Sequence, residues 1–146
     1  MSSQSVAARL VTFMRERFDG GVPDRVRHEA LRLLINQLKG SVGATNHPAV
    51  RILHEWATND SSSPDPGDHV VWFGTRTRPE QAAFVNGALF EVLDFNDTYI
   101  PCFMHAVSGV LPAVLAGAEC TQRRGDAVLD ALALGIEIEL ACATIL

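Results

Sequence analysis

Asp94, Asp97 and Thr98 are spaced three and four residues apart at the end of the apolar run AAFVNGALFEVLDFNDT (residues 82–98), and His105 follows after a short loop. On a helix, positions i, i+3 and i+4 share one face, so a helix persisting to its last turn would bring both carboxylates and the hydroxyl into one small volume. Neighbouring carboxylates push one pKa upward, which suits a general acid or base working near neutral pH, and an imidazole within reach adds a second proton-transfer group. The plainer reading is a pair of solvated or capping acids beside a surface histidine. Against it stands the helix macrodipole, which disfavours acids at a C-terminus by a few tenths to about 1 kcal/mol unless a cation, donor or substrate compensates.

Other chemistries lack their residues. His28, His47, His54 and His69 show no paired ligand spacing and read as structural or exposed, so no metal site is expected. Glycine-rich phosphate loops and a GxSxG elbow are absent. Cys102, Cys120 and Cys142 are an odd set without paired spacing, which suggests buried, reduced thiols. A net charge of -5 with Lys39 as the only lysine leaves no basic stripe to follow a phosphate backbone, so nucleic acid is not an expected partner. The most apolar stretch, Ala127 to Leu146, carries Asp130, Glu137 and Glu139. Each acid at mid-bilayer would cost roughly 2.5–3.5 kcal/mol, which predicts a buried helix rather than a membrane span. Arg9, Arg15, Glu16 and Arg17 interrupt the N-terminal segment, which does not read as a secretory signal, and a cytoplasmic location is expected.

The elements that would position the acids are mostly helical, and the length suits one compact domain. Val6, Leu10, Phe13, Met14 and Phe18 define an amphipathic first helix stopped by Gly20-Gly21. Pro23 opens a second, expected to pack antiparallel to the first, with Val26, Ala30, Leu33, Leu34 and Leu38 on its apolar side. Asn46 and Pro48 cap a third, where Val50, Leu53, Trp56 and Ala57 share a face. Residues 59–68 form an exposed loop, and residues 69–73 a lone strand or extended segment needing a partner. Thr77 to Glu80 has capping-box spacing and opens the helix carrying the acids. Within that helix Gly87 costs about 1 kcal/mol relative to alanine, which implies close approach by a neighbour, with Asn86 bonding across the contact. Ser108 caps a fifth helix with Pro112 in its first turns, and Asp126 caps a sixth that reaches Leu146 with no polar face, as though the architecture continued.

In order along the chain stand LLINQLKG, VVWFG, AAFVNGALFEVLDFNDT and HAVSGVLPAVLAGAE. This succession resembles the MmgE/PrpD proteins, which include 2-methylcitrate dehydratase and cis-aconitate decarboxylase. In that family an LLDTLG-like helix, a short strand, a VNG helix, an LDFDDT-like motif and a histidine before a VLPA helix follow one another. Asn96 stands at the middle acid of that motif, Asn36 at the acid of the first helix, and Ala106 at the usual proline after the histidine. The resemblance implies a mostly all-α fold: a bundle of about six helices with one short strand or extended segment near 69–73. Residues 1–146 would then form a single incomplete N-terminal helical domain. It implies the N-terminal portion of a metal- and cofactor-independent lyase or isomerase acting on small di- or tricarboxylates, usually dimeric. Asp94 and His105 would transfer a proton or touch the substrate, and Thr98 would orient a substrate carboxylate.

A polycarboxylate needs converging cations, which this acidic chain does not offer by itself, so inactivity alone and a missing C-terminal chain or a homo-oligomeric partner are expected. Two other readings stay open. One is a noncatalytic helical module that dimerises through apolar faces. The other, ranked last, takes Asp94-Phe95-Asn96-Asp97 as a DxxD magnesium site for diphosphates.

Overall fold

A computed structural model of the chain describes residues 5–59 and 68–145, so the turn-rich stretch expected at 59–68 lies almost wholly outside the described residues. Six α-helices are described: α1 (Val6–Gly20), α2 (Asp24–Val42), α3 (Pro48–Thr58), α4 (Pro79–Glu91), α5 (Ala106–Cys120) and α6 (Asp126–Ile145). A 3-10 turn at Gly43–Asn46 joins α2 to α3. No described helix is long and apolar enough to cross a membrane.

The core forms where the apolar stripes of α2, α4, α5 and α6 meet, with Ala30, Leu89, Val107, Leu111 and Leu132 buried there beside Val50 of α3. Burying a side chain of this kind stabilises by roughly 1.5–3 kcal/mol, so this cluster dominates the fold's free energy. A polar tie crosses it: Arg27 on α2 grips the buried Asp130 on α6 with two hydrogen bonds of 2.6 and 2.9 Å, a forked geometry that fixes orientation as well as contact. That pairing explains how an acid is accommodated on the apolar α6.

Several expectations shift. Helix α1 packs on α6 and not on α2, whose stripe is already taken by α4, α5 and α6; none of its residues is fully buried. The extended segment is shorter than 69–73: β1 (Asp68–His69) pairs antiparallel with β2 (Arg76–Thr77), and the chain turns between them through Trp72 and Gly74, both at positive φ. Its partner is therefore local. Asn86 bonds to this hairpin rather than across α5, accepting from the Val71 N–H at 2.8 Å and donating to the His69 carbonyl at 3.2 Å. On α3 the cap is His47, whose Nδ1 accepts from the Ala49 N–H. Trp56 is exposed and lies edge-on to Phe84. The start of α4 uses Gln81 rather than Glu80, its Oε1 accepting from the Thr77 hydroxyl at 2.6 Å and the Arg78 N–H at 3.4 Å. Cys120 and Cys142 are exposed and only Cys102 is half-buried, because the first two fall at or near helix ends.

Candidate functional site

The helix expected to carry the acids stops too early to do so. The final turn of α4 ends at Glu91, where the buried Gln37 side chain donates to the Phe90 carbonyl at 2.7 Å and satisfies one of the orphan acceptors of the helix end. The Asp94 N–H then bonds the Glu91 carbonyl at 2.9 Å, and Asp94 itself turns left-handed at φ 51°. An aspartate tolerates that conformation better than most residues. Asp94, Asp97 and Thr98 thus lie in a loop, and no helix face brings them together.

What gathers them is a tight return of that loop. Tyr99 and Met104 exchange backbone hydrogen bonds of 2.9 and 3.3 Å across an antiparallel bridge, with Phe103 at φ 51° closing the turn. The bridge brings His105 back beside Asp97 and Thr98. Its Nδ1 lies 2.6 Å from the Asp97 carbonyl oxygen and 3.3 Å from the Thr98 hydroxyl. A carbonyl only accepts, so Nδ1 carries the proton, and Nε2 is the nitrogen turned to Asp94 Oδ1, 3.6 Å away. The Asp97 carbonyl, aided by the charges of Glu91, Asp94 and Asp97, raises the His105 pKa above its ordinary value despite some desolvation.

Asp97 has a different task from Asp94. Its carboxylate accepts from the Val107 N–H at 3.2 Å and so caps α5 from outside, where the positive end of the helix dipole favours an anion. Burial nonetheless outweighs those hydrogen bonds and raises the Asp97 pKa. Ser108, expected as the cap, instead sits within the first turn of α5 and donates back to the His105 carbonyl at 3.0 Å. Pro112 falls inside α5 beyond the first turn. The two carboxylates of the DxxD sequence serve separate ends of the loop, which removes the single-face geometry of a helical magnesium motif.

An open cleft of about 770 Å³ runs between α4 and α5, with His105, Glu91, Glu80, Phe84, Phe103 and Pro112 among its walls. Of the three expected site residues only His105 lines it; Asp94 is 86% exposed at its side chain and, with Thr98, stands outside the cleft wall. Among the described lining residues none is lysine or arginine. Sequence reasoning passed over Glu91. One oxygen of Glu91, one of Asp94 and a ring nitrogen of His105 lie within 4.8 Å of one another. Both carboxylates are exposed and Glu91 is engaged by Asn96, so the cluster is not read as a metal centre. The spacing of Glu91 three residues before Asp94 was the available signal.

Residues 9–146 match the MmgE/PrpD N-terminal domain. The chain belongs to the MmgE/PrpD family. It is 31% identical over 149 residues to human cis-aconitate decarboxylase, covering 95% of this chain and 29% of the relative. It is 24% identical over 120 residues to the cis-aconitate decarboxylase-like protein oryM of Aspergillus oryzae (strain ATCC 42149 / RIB 40), covering 79% of this chain and 23% of that protein. The chain therefore spans less than a third of the length of the curated relatives it matches. No solved structure matches it significantly. The all-α architecture accords with an MmgE/PrpD N-terminal domain.

Proposed function

We propose that this MmgE/PrpD domain is the N-terminal portion of a cofactor-independent lyase or isomerase acting on small di- or tricarboxylates, of the cis-aconitate decarboxylase or 2-methylcitrate dehydratase type. The observation that carries this reading is the convergence on His105: its tautomer is fixed by the Asp97 carbonyl, and its Nε2 faces Asp94 at the end of an open cleft. A histidine so held can take or return a proton at the carbon next to a substrate carboxylate. Asp94 would balance its charge or meet the substrate. Thr98, 3.3 Å from the ring, would steady the histidine and present its hydroxyl to a carboxylate.

The cleft wall offers a polycarboxylate few cations, which supports activity only in a larger assembly, with a C-terminal polypeptide or a second copy supplying basic groups. A cytoplasmic setting and a dimer belong to the same reading. The test is to combine this chain with a polypeptide matching the remaining length of its relatives and to assay cis-aconitate and 2-methylcitrate. Turnover by the combination and not by either part supports the proposal; no complex and no turnover with either substrate would sink it.

A further inference from the structure

We infer that Glu91 is a positioning residue for His105, held in place by Asn96, which Gln37 in turn orients. Its meaning for catalysis rests on the reading of His105 above; the geometry does not. Gln37 is only 1% exposed, and its Nε2 donates both to the Phe90 carbonyl and, at 3.2 Å, to Asn96 Oδ1. With its oxygen turned to that donor, Asn96 points its Nδ2 the other way, where it donates to Glu91 Oε2 at 2.8 Å. The amide accepts from Gln37 and donates to Glu91, which an ionised aspartate at 96 could not do; it would face the glutamate with like charge. Asn96 and Glu91 therefore work as a matched pair.

The pair answers an electrostatic difficulty. His105 stands at the N-terminal cap of α5, where the helix dipole opposes a positive imidazole. The groups that face it are Glu91 from the end of α4 and Asp94 and Asp97 from the loop, with Glu139 of α6 acting on Asp97 and Glu80 further along the cleft wall. Asp97 is committed to capping α5. The Asp97 carbonyl does most to favour a charged ring, and a fixed Glu91, whose carboxylate oxygen lies within 4.8 Å of a His105 ring nitrogen and an Asp94 oxygen, adds its charge to that pull. Among the described residues lining the cleft, His105 alone can then carry positive charge toward a substrate carboxylate.

The test follows the His105 ring resonance by NMR across pH in the full chain with chelator present, so that no adventitious cation contributes. Removing one charge at this distance should lower the His105 midpoint by roughly half a unit in Glu91→Gln. Asn96→Ala should give a smaller shift in the same direction, and should add nothing in the Glu91→Gln background. His54, on α3 beside the hairpin, serves as the control for an intact fold. Glu91 is exposed, so Glu91→Gln alone decides the matter if Asn96→Ala disturbs that control. An unmoved His105 midpoint in Glu91→Gln, or an Asn96→Ala shift that persists undiminished without the glutamate, overturns the inference. Because the readout is not turnover, a failed lyase assay leaves this result standing, and the reverse holds as well.

Discussion

The two faces of α5 carry hollows of nearly equal size and opposite character. Toward α4 lies the cleft of about 770 Å³ with His105 and Glu91 in its wall; toward α1 and α6 lies a groove of about 710 Å³ walled by Met14, Phe18, Val110, Leu134 and Ile138. Gly109 and Ala113 border both. Volume and apolar lining therefore do not distinguish a candidate site here. Charged residues do not either, since Arg15, Asp19 and Glu139 stand in the groove wall; what sets the cleft apart is a histidine held by hydrogen bonds to a fixed loop. Packing differs in the opposite sense. The groove side is where α5 and α6 press together, Gly135 having no room for a side chain beneath Val110 and Gly109 lying under the Glu139 carboxylate. On the cleft side the glycine of α4 is less confined: a Cβ on Gly87 would meet Pro112 at 3.8 Å, an ordinary contact.

The sharpest way to break this contrast is to strike each side in the assembled enzyme. His105→Gln should lower kcat/KM by about 10²–10⁴-fold, the usual size of a lost acid–base group. Phe18→Ser, in the groove, should leave it within about threefold, as exposed substitutions generally do. Equal losses from both would mean that the groove, and not the cleft alone, belongs to the catalytic body. The packing contrast makes its own forecast in urea unfolding. Gly135→Val should destabilise by about 1–3 kcal/mol through overpacking. Gly87→Ala should stabilise by about 0.5–1 kcal/mol, because helix propensity improves and nothing is displaced.

The same contrast shows which features the chain declares locally. Helices with strong apolar periodicity fall close to where the sequence puts them, because their boundaries are set by near neighbours such as Pro23, Gly21 and Pro79. Features fixed by distant partners do not announce themselves. The partner of α1 depends on which stripe of α2 is already covered, and the stop of α4 on Gln37, 53 residues before the carbonyl it satisfies. In the candidate site, a helical face was expected to gather Asp94, Asp97 and Thr98 with His105 a loop away; the structure instead brings His105 back beside Asp97, Thr98 and Asp94 through the Tyr99–Met104 bridge. A bridge set up by backbone bonds across a loop has no side-chain periodicity to read.

Cutting the link between the loop and α5 tests whether the cleft side owes its order to that loop. Asp97→Ala leaves the Val107 N–H without its acceptor and should cost about 1 kcal/mol, the typical worth of a helix N-cap. It should also increase amide exchange at the start of α5 while leaving α6 unaffected. An unchanged midpoint in urea would mean that water replaces the carboxylate without loss.

The smallest expected effect connects the two faces through α5. Glu139 reaches from α6 to Gly109, its Oε2 buried without a hydrogen-bond partner, and desolvation together with the charge of Asp97 raises its pKa above the ordinary carboxylate value. A carboxyl whose folded pKa is raised binds its proton more tightly in the folded than in the unfolded chain. Its contribution to stability is then fully present below the unfolded pKa near 4.5 and is lost as pH rises through the folded value. Stability should accordingly fall over that interval from the acidic side, with Asp97 contributing in the same direction. Glu139→Gln keeps the shape without the charge and should flatten part of that slope, raising stability at neutral pH relative to the parent and leaving it nearly equal below pH of about 4. Urea midpoints measured from acid to neutral pH on both proteins decide it. Parallel curves would show that Glu139 meets water or a donor on ionising, and that the groove side is no drier than the cleft.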